Sequence, residues 1–304
     1  MIDVCLLGTG GMMPLTYRYL TSLYILGNGT NVLIDCGEAT QLAISKAELS
    51  TKPIDLILFT HFHADHISGL PGLLLSQKNS DRTEAVTIAG PKDLKHVVDS
   101  LRVIATDLPF KLNYIELLDD HGKFSFKDLN IEYFLLKHKI TCLGYNIHVN
   151  RLPEFDVEKA KKNNIPLKYW NNLQHGKICE DKDNNVIYTP DMCMGEERKG
   201  IKLTYLTDTR PCENIYKYAC NSDLFICEGM YGDDEKAENA KKYLHTTMKE
   251  ACEIANRTNP KEMWLTHFSP SENNPKSYQN MISSINDKVI IAKDNFKKVL
   301  NFEN

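Results

Sequence analysis

Short apolar runs recur along this chain at regular intervals. Their lengths predict strands at residues 2–8, 20–26, 31–35, 54–60, 85–89, 113–116, 131–136, 202–207, 223–227 and 262–266. Apolar residues at helical spacing predict helices at residues 93–105 and 235–258. Strands interspersed with helices in this way indicate an α/β (α+β) fold, in which helices cover the outer faces of the sheets. They do not indicate a Rossmann order of strands.

Residues 151–200 differ in character from the rest of the chain. They are sparse in periodic apolar positions, and their charge is balanced at nine Lys and Arg against nine Asp and Glu. We therefore predict a single domain over residues 1–304, from which residues 151–200 protrude as an arm. Residues 157–170 are locally basic and end in Tyr169 and Trp170, a combination that suits either phosphate and base binding or a solvated helix face.

Composition narrows the class of protein. With 42% hydrophobic and 25% charged residues in 304, the chain is expected to be a soluble globular protein. No apolar run approaches the roughly 20 residues of a membrane span, and no basic region precedes the first strand, so we predict a cytoplasmic protein. Nine cysteines without C-x-x-C spacing fit reduced thiols. The net charge of −4 weighs mildly against a nucleic-acid partner.

The strongest chemical signal follows the strand predicted at residues 54–60. His61-Phe62-His63-Ala64-Asp65-His66 places three imidazoles and one carboxylate within six positions. Three neutral imidazoles this close together have little structural use, whereas imidazole and carboxylate together suit a divalent ion such as zinc. The motif therefore predicts a metal site at the end of a buried strand.

Polar, metal-competent side chains follow other apolar runs in the same manner. They are His138, Asp208, Glu228 and His267. A ligand at a strand end is held rigidly by the sheet, while the adjoining loops leave a coordination position open for water. Each of the four is therefore a candidate ligand. The remaining histidines without such context, which we expect to be structural or exposed, are His96, His121, His148 and His175.

The metal motif resembles that of a known superfamily. H-x-H-x-D-H followed by x-x-G-L resembles the signature of the metallo-β-lactamase fold of metal-dependent hydrolases. The longer run T-H-F-H-A-D-H-I-S-G-L-P-G-L-L resembles its ribonuclease Z branch, the tRNA 3′-processing endonucleases. The resemblance continues through Leu206-Thr207-Asp208-Thr209-Arg210, His245-Thr246-Thr247 and Thr266-His267-Phe268-Ser269. It implies a four-layer αββα metallo-β-lactamase fold with a protruding, substrate-binding arm.

The resemblance also implies roles for the candidate residues. Two zinc ions are expected per subunit, with manganese or iron possible at the same ligands. His61, His63 and His138 would hold one ion, Asp65, His66 and His267 the other, and Asp208 would bridge them. Asp65 would also accept a proton from the attacking water, and His245, held by Glu228, would act as general acid. The position of His245 in the sequence, just ahead of a helix, is by itself a weak signal.

The function implied is removal of the 3′ trailer of precursor tRNA, leaving a 3′-hydroxyl, by an endonuclease that is usually a homodimer. The chain departs from the branch in three features: Ala64 replaces a usual glycine, Ser271 stands where arginine often follows, and residues 165–170 only half resemble the usual arm. Two alternatives therefore stay open. One is a hydrolase of a small phosphodiester or ester, such as a cyclic nucleotide phosphodiesterase or an arylsulfatase-like enzyme. The other is a metal-bearing binding or structural protein without turnover.

Overall fold

The structure, a computed structural model, describes residues 1–27, 29–181, 185–232 and 234–303. The chain divides into two compact units, one formed by Met1–Val149 with Ile201–Asn301 and the other by Asn150–Gly200 with Phe302–Asn304. Residues 182–184 of the predicted arm lie outside the described residues. Among the helices in the described part of the chain, none combines the length and apolar character needed to cross a membrane.

Strands predominate in the described ranges. In chain order the sixteen strands there are β1 (Ile2–Gly8), β2 (Ser22–Gly27), β3 (Thr30–Ile34), β4 (Ile54–Leu58), β5 (Val86–Pro91), β6 (Leu112–Leu117), β7 (His121–Phe126), β8 (Leu129–Leu135), β9 (Leu143–Arg151), β10 (Cys179–Asp181), β11 (Val186–Tyr188), β12 (Arg198–Tyr205), β13 (Leu224–Glu228), β14 (Met263–Thr266), β15 (Val289–Ile291) and β16 (Phe296–Leu300).

Helices connect many of these strands. The ten α-helices in the same ranges are α1 (Thr40–Lys46), α2 (Ala64–Ile67), α3 (Leu70–Asn79), α4 (Leu94–Leu101), α5 (Val157–Lys162), α6 (Leu167–Gln174), α7 (Glu213–Tyr218), α8 (Ala237–Tyr243), α9 (Met248–Thr258) and α10 (Gln279–Ile285). Short 3₁₀ turns occur at Arg102–Ile104, Pro190–Met192, Asp234–Lys236 and Pro275–Tyr278.

Two seven-stranded sheets make up most of the larger unit. Their strand orders are β16-β1-β2-β3-β4-β5-β6 and β15-β14-β13-β12-β9-β8-β7. In the first sheet β3 to β6 run parallel, and in the second β12 to β15 run parallel. The carboxyl ends of these parallel strands meet at one edge of each sheet, where side chains from distant parts of the sequence can converge.

Buried side chains alternate between the two faces of each sheet. In the first sheet, Ile57 packs in a core cluster with Leu73 of α3 and Leu94 of α4. Its neighbours on β4, Leu56 and Leu58, are also fully buried, and because side chains alternate along a strand they lie on the opposite face. One face of this sheet is therefore covered by helices, and the other is buried as well.

The second sheet repeats this arrangement. Phe225 of β13 packs with Ala251 of α9, whereas the adjacent Ile226 is buried on the opposite face. The two sheets contact each other directly, since the Tyr145 hydroxyl donates to the Phe59 carbonyl at 2.6 Å. The layers are thus helix, sheet, sheet and helix, which confirms the predicted four-layer αββα arrangement.

The helix predicted at residues 235–258 is interrupted. Leu244 takes a left-handed conformation with φ 63° that ends α8, and α9 begins only at Met248. Thr247 caps α9 by accepting a hydrogen bond from the Glu250 amide, while the Glu250 carboxylate accepts one from the Thr247 amide. As a result, His245 lies in the segment between the two helices and belongs to neither.

The smaller unit has an apolar core of its own, despite its sparse periodicity. Leu173 and Tyr188 are buried in one cluster there, and Trp170 packs beside Phe155 with its ring nitrogen donating to the Ile165 carbonyl. The aromatic residues of the locally basic segment therefore contribute to packing within this unit. A substrate-binding role for residues 151–200 stays a prediction.

Candidate metal centre

The candidate ligands lie at strand ends or on the short turn that follows β4. His61 follows β4, His63 is the residue before α2, and Asp65 and His66 lie within α2. The others come from the second sheet: His138 after β8, Asp208 after β12, Glu228 as the last residue of β13 and His267 after β14. The fold brings all of them together, although up to 206 residues separate them in sequence, from His61 to His267.

Four of these side chains form a first ligand group, consisting of His61, His63, His138 and Asp208. His63 Nδ1 lies 3.0 Å from His61 Nε2 and 3.3 Å from His138 Nε2. Asp208 Oδ2 lies 3.7 Å from both Nε2 atoms. Three imidazole nitrogens and a carboxylate oxygen thus surround one small volume, as the ligands of a tetrahedral metal ion do.

The second ligand group consists of Asp65, His66 and His267. Asp65 Oδ2 lies 3.5 Å from His66 Nε2 and 3.4 Å from His267 Nε2, and the two Nε2 atoms are 3.2 Å apart. Asp208 joins this group through its other oxygen, since Oδ1 is 3.2 Å from His66 Nε2 and 3.1 Å from His267 Nε2.

Asp208 therefore presents one oxygen to each group. Its side chain is almost fully buried, and Oδ1 accepts no hydrogen bond from the described residues. A buried carboxylate oxygen without a donor is costly unless a cation compensates it. The donor set of imidazole and carboxylate, arranged around two volumes that share Asp208, fits a pair of divalent ions.

Hydrogen bonds orient three of the imidazoles. His66 Nδ1 donates to Asp35 at 2.9 Å, and His138 Nδ1 donates to the Leu244 carbonyl at 3.3 Å. His61 Nδ1 donates at 3.0 Å to the hydroxyl oxygen of Thr60. With the proton held on Nδ1, each ring in its neutral form directs the lone pair of Nε2 toward its ligand group.

Asp35 is a functional candidate that the sequence reasoning missed. It is fully buried, has a left-handed φ of 62°, and accepts hydrogen bonds from the Thr60 amide and hydroxyl as well as from His66. It thus supports two histidines, His66 directly and His61 through Thr60. Its sequence signal was available, since Asp35 directly follows the apolar run of β3 just as other candidate ligands follow theirs.

We expect Asp35→Asn to weaken metal binding by about 10- to 100-fold, because an amide cannot hold the proton of His66 Nδ1 as a carboxylate does. Competition with a chromophoric chelator measures the affinity. Asp99→Asn is the matched control, since Asp99 pairs with Lys95 and Arg102 away from the site. An unchanged affinity in a folded Asp35→Asn protein would contradict the assignment.

The pKa values of the buried histidines shift in opposite directions. Burial, reinforced by neighbouring His66, lowers the pKa of His61 well below its usual value, so that this ring is neutral. Burial also lowers the pKa of His267, but Asp208, Asp65 and Glu228 outweigh it and raise the pKa to about 10. The same balance raises the pKa of His66, mainly through Asp208 and Asp35. A cation must displace protons from these two rings, so its affinity should increase with pH.

A histidine–carboxylate pair lies beside the ligand groups. His245 Nδ1 donates to Glu228 Oε2 at 2.9 Å. The other oxygen of Glu228 accepts from the Thr209 amide at 2.6 Å and from the Thr246 amide at 3.1 Å, so the carboxylate is fixed in place. Burial lowers the pKa of His245, but the Glu228 charge outweighs it and the net shift is upward. His245 is therefore suited to carry a proton.

Arg210 holds the segment that carries His245. Its Nη1 donates to the His245 carbonyl at 2.6 Å and to Glu250 Oε2 at 2.7 Å, and its Nη2 also pairs with Glu250. Glu250 in turn belongs to the capping box of α9. Arg210, two positions after Asp208, therefore holds the segment between α8 and α9 in place.

A cleft of about 310 Å³ opens onto both ligand groups and His245. Because Glu228 engages Nδ1, His245 Nε2 is the nitrogen available to a bound group. The cleft is lined by Met12, His63, Asp65, His138, Lys139, Asp208, Met230, Tyr231, Tyr243 and His245. The histidines without a strand-end context lie elsewhere: His121 and His148 flank Glu132, and His96 and His175 are not among the clustered ligands of the described chain.

Comparison with known proteins decides the family. The chain is 51% identical to ribonuclease Z of Lachnospira eligens over 303 residues, covering 100% of this chain and 99% of the relative. It is 50% identical to ribonuclease Z of Agathobacter rectalis, covering 97% and 96%. The chain belongs to the ribonuclease Z family. A family model described as Anti-Pycsar protein Apyc1 also matches residues 2–162, so the chain belongs to that sequence family as well.

Solved structures agree on the fold of this ribonuclease Z family member. Human tRNase Z, short form, matches with a TM-score of 0.70 at 23% identity, covering 99% of this chain and 100% of that one. The metallo-β-lactamase fold protein YhfI from Bacillus subtilis matches with a TM-score of 0.69 at 16% identity, covering 98% of each. The predicted metallo-β-lactamase fold and the resemblance to the ribonuclease Z branch are both confirmed.

Proposed function

We propose that this chain is a metal-dependent endoribonuclease that removes the 3′ trailer of precursor tRNA and leaves a 3′-hydroxyl on the tRNA. The observation that carries the proposal is one cleft in which two ligand groups share Asp208 beside the His245–Glu228 pair. Full-length relatives named ribonuclease Z at about half identity support the same reaction. Neither of these two relatives is named as a hydrolase of small phosphodiesters or esters.

The ligand groups suggest the cofactor. Two zinc ions per subunit would be held there, one by His61, His63 and His138 and the other by Asp65, His66 and His267, and Asp208 would contribute to both sites. Manganese or iron could occupy the same ligands. When bound, such a pair lowers the pKa of a shared water and neutralises charge on the phosphate oxygens.

Residues of the chain supply the proton transfers. Asp65, whose Oδ2 also accepts a hydrogen bond from the Met12 amide at 2.7 Å, would take the proton of the attacking water. The water attacks phosphorus, and the bond to the 3′-oxygen of the tRNA breaks. His245 Nε2 would protonate that leaving oxygen, while Glu228 stabilises the protonated imidazole and fixes its orientation.

We extend the proposal to the oligomeric state of the protein, the role of residues 151–200 and the cellular location. The resemblance to ribonuclease Z leads us to propose a homodimer and a substrate-binding role for residues 151–200. All nine cysteines are free, which suits the reducing conditions of a cytoplasmic location. Light scattering coupled to size-exclusion chromatography tests the dimer.

The experiment that tests the function is cleavage of a 5′-labelled precursor tRNA by the zinc-loaded protein. We expect a single cut that releases the trailer and leaves a 3′-hydroxyl. We also expect log kcat/KM to decrease steeply with log salt concentration, because RNA binding releases counterions. Hydrolysis of bis-p-nitrophenyl phosphate, measured in parallel, should respond little to salt. Hydrolysis of the small ester alone would favour the small-substrate alternative.

A further inference from the structure

One rim of the cleft is formed by two adjacent segments, residues 137–139 and 243–245. They are joined where His138 Nδ1 donates to the Leu244 carbonyl, and the His138 and His245 rings have their centroids 5.4 Å apart. Next to these two histidines, Lys139 Nζ lies 4.8 Å from the centroid of the Tyr243 ring. Lys139 and Tyr243 therefore line the cleft immediately beside the proposed general acid.

A second lysine, Lys242, directly precedes the rim residue Tyr243 in the sequence. Lys242 Nζ also lies near the Tyr243 ring, at 5.3 Å from its centroid. Within the part of the chain that the structure describes, neither Lys139 nor Lys242 forms a salt bridge, whereas the neighbouring Lys241 pairs with Glu238. Two unpaired ammonium groups thus flank one aromatic ring in a protein whose net charge is −4.

Packing does not explain the Tyr243 side chain. It is 40% exposed and is not part of the buried cluster formed by Met230, Tyr231 and Ala240. A cation beside an exposed aromatic ring contributes little stability, so the lysines can leave the ring at small cost. An exposed aromatic ring with adjacent cations is the combination that binds single-stranded nucleic acid, by stacking on a base and pairing with phosphate.

We propose that Tyr243, Lys139 and Lys242 form a subsite for the nucleotide on the 5′ side of the scissile phosphate, which is the last nucleotide of the tRNA product. Its base stacks on Tyr243, and the lysines bind phosphate of the same strand. The subsite rests on the proposed function, because the leaving oxygen protonated by His245 is the 3′-oxygen of that nucleotide. The rim beside His245 is therefore the side on which this nucleotide must lie.

Abasic substrates test the subsite. Three zinc-loaded proteins, wild type, Tyr243→Phe and Tyr243→Ala, are compared on a precursor tRNA with all its bases, on one lacking the base 5′ of the cut, and on one lacking the base 3′ of the cut. On the complete substrate we expect Tyr243→Ala to lower kcat/KM by about tenfold or more, and Tyr243→Phe to restore most of that loss because a phenyl ring still stacks on the base. On the 5′-abasic substrate, wild type and Tyr243→Ala should be equal. On the 3′-abasic substrate the difference between them should persist.

The salt dependence of cleavage tests the two lysines separately. Lys139→Gln and Lys242→Gln should each reduce the slope of log kcat/KM against log salt by about one, whichever base is present. Unchanged zinc content and melting temperature confirm that each variant folds.

The outcomes separate the two proposals. If Tyr243→Ala loses the same activity relative to wild type on all three substrates, the subsite is overturned. It is also overturned if the loss persists on the 5′-abasic substrate and vanishes on the 3′-abasic substrate. A failure of the wild-type protein to cut the complete precursor tRNA overturns the proposed function, and the subsite with it.

Discussion

Asp208→Ala is expected to lose both metal ions and, with them, cleavage of precursor tRNA by about three orders of magnitude or more. The reason is geometric. Asp208 Oδ2 lies beside His61 and His138, and Oδ1 lies 3.1–3.2 Å from His66 and His267 Nε2. No other carboxylate in the described site presents one oxygen to each ligand group.

Metal content by inductively coupled plasma mass spectrometry, together with single-turnover cleavage, measures this effect. Asp208→Asn keeps the shape of the side chain but not its charge, and should lie between wild type and Asp208→Ala in metal content. Asp35→Asn provides the comparison with a buried carboxylate that only orients a ligand, and should retain both ions at saturating metal. A folded Asp208→Ala protein that keeps two ions and cleaves normally would refute the bridging role.

His245→Ala is expected to keep its metal and to lower kcat by about two to four orders of magnitude. His245 makes no contribution to the ligand groups that we assign, yet it lies in the same cleft with Nδ1 held by Glu228. Its loss removes the donor of the proton to the leaving 3′-oxygen. A substrate with a 3′-bridging sulfur, whose leaving group needs no proton, should be cleaved almost equally by both proteins.

The pH dependence gives a second signature of the same role. Glu228 is the main influence that raises the pKa of His245 against the opposing effect of burial. A general acid is active below its pKa, and its activity is lost as pH rises through that value. Glu228→Gln should therefore move the alkaline limb of the kcat profile to lower pH, and His245→Ala should abolish it. A His245→Ala protein with the wild-type profile would exclude His245 as the acid.

The expected losses of activity distinguish an enzyme from the third hypothesis, a metal-bearing binding or structural protein without turnover. A protein that only binds would have little use for a histidine whose carboxylate partner is fixed by two backbone amides. Its family, moreover, is one whose relatives carry the name of a nuclease.

Much of the metal site could be predicted from sequence because its signal is local. His61, His63, Asp65 and His66 lie within six positions, and an apolar run before each of Asp208 and His267 indicates a strand that ends there. Side-chain chemistry and strand ends are both properties of a few consecutive residues. They were sufficient for the fold class, and the resemblance carried by the same motifs was sufficient for the family.

Relations between distant residues needed the tertiary structure. That Asp208 turns one oxygen to each ligand group depends on how two sheets contact each other, and no short segment encodes that contact. The sequence places Asp35 at a strand end, but its role lies in a hydrogen bond to His66, 31 positions away, which only the structure shows. The pairing of Lys139 with Tyr243 is of the same kind, since it joins strand-end and helix-end segments more than a hundred residues apart.

The break between α8 and α9 combines a locally encoded feature with one that depends on distant residues. Thr247 and Glu250 show the spacing of a capping box, so the start of α9 was encoded locally. Where the freed segment then lies is decided by Glu228 and Arg210, which bind its backbone from other parts of the chain. Sequence by itself determined which residues could do the chemistry, because reactivity belongs to the side chain. Only the tertiary structure decided which of them act together, because that depends on contacts between segments far apart in the chain.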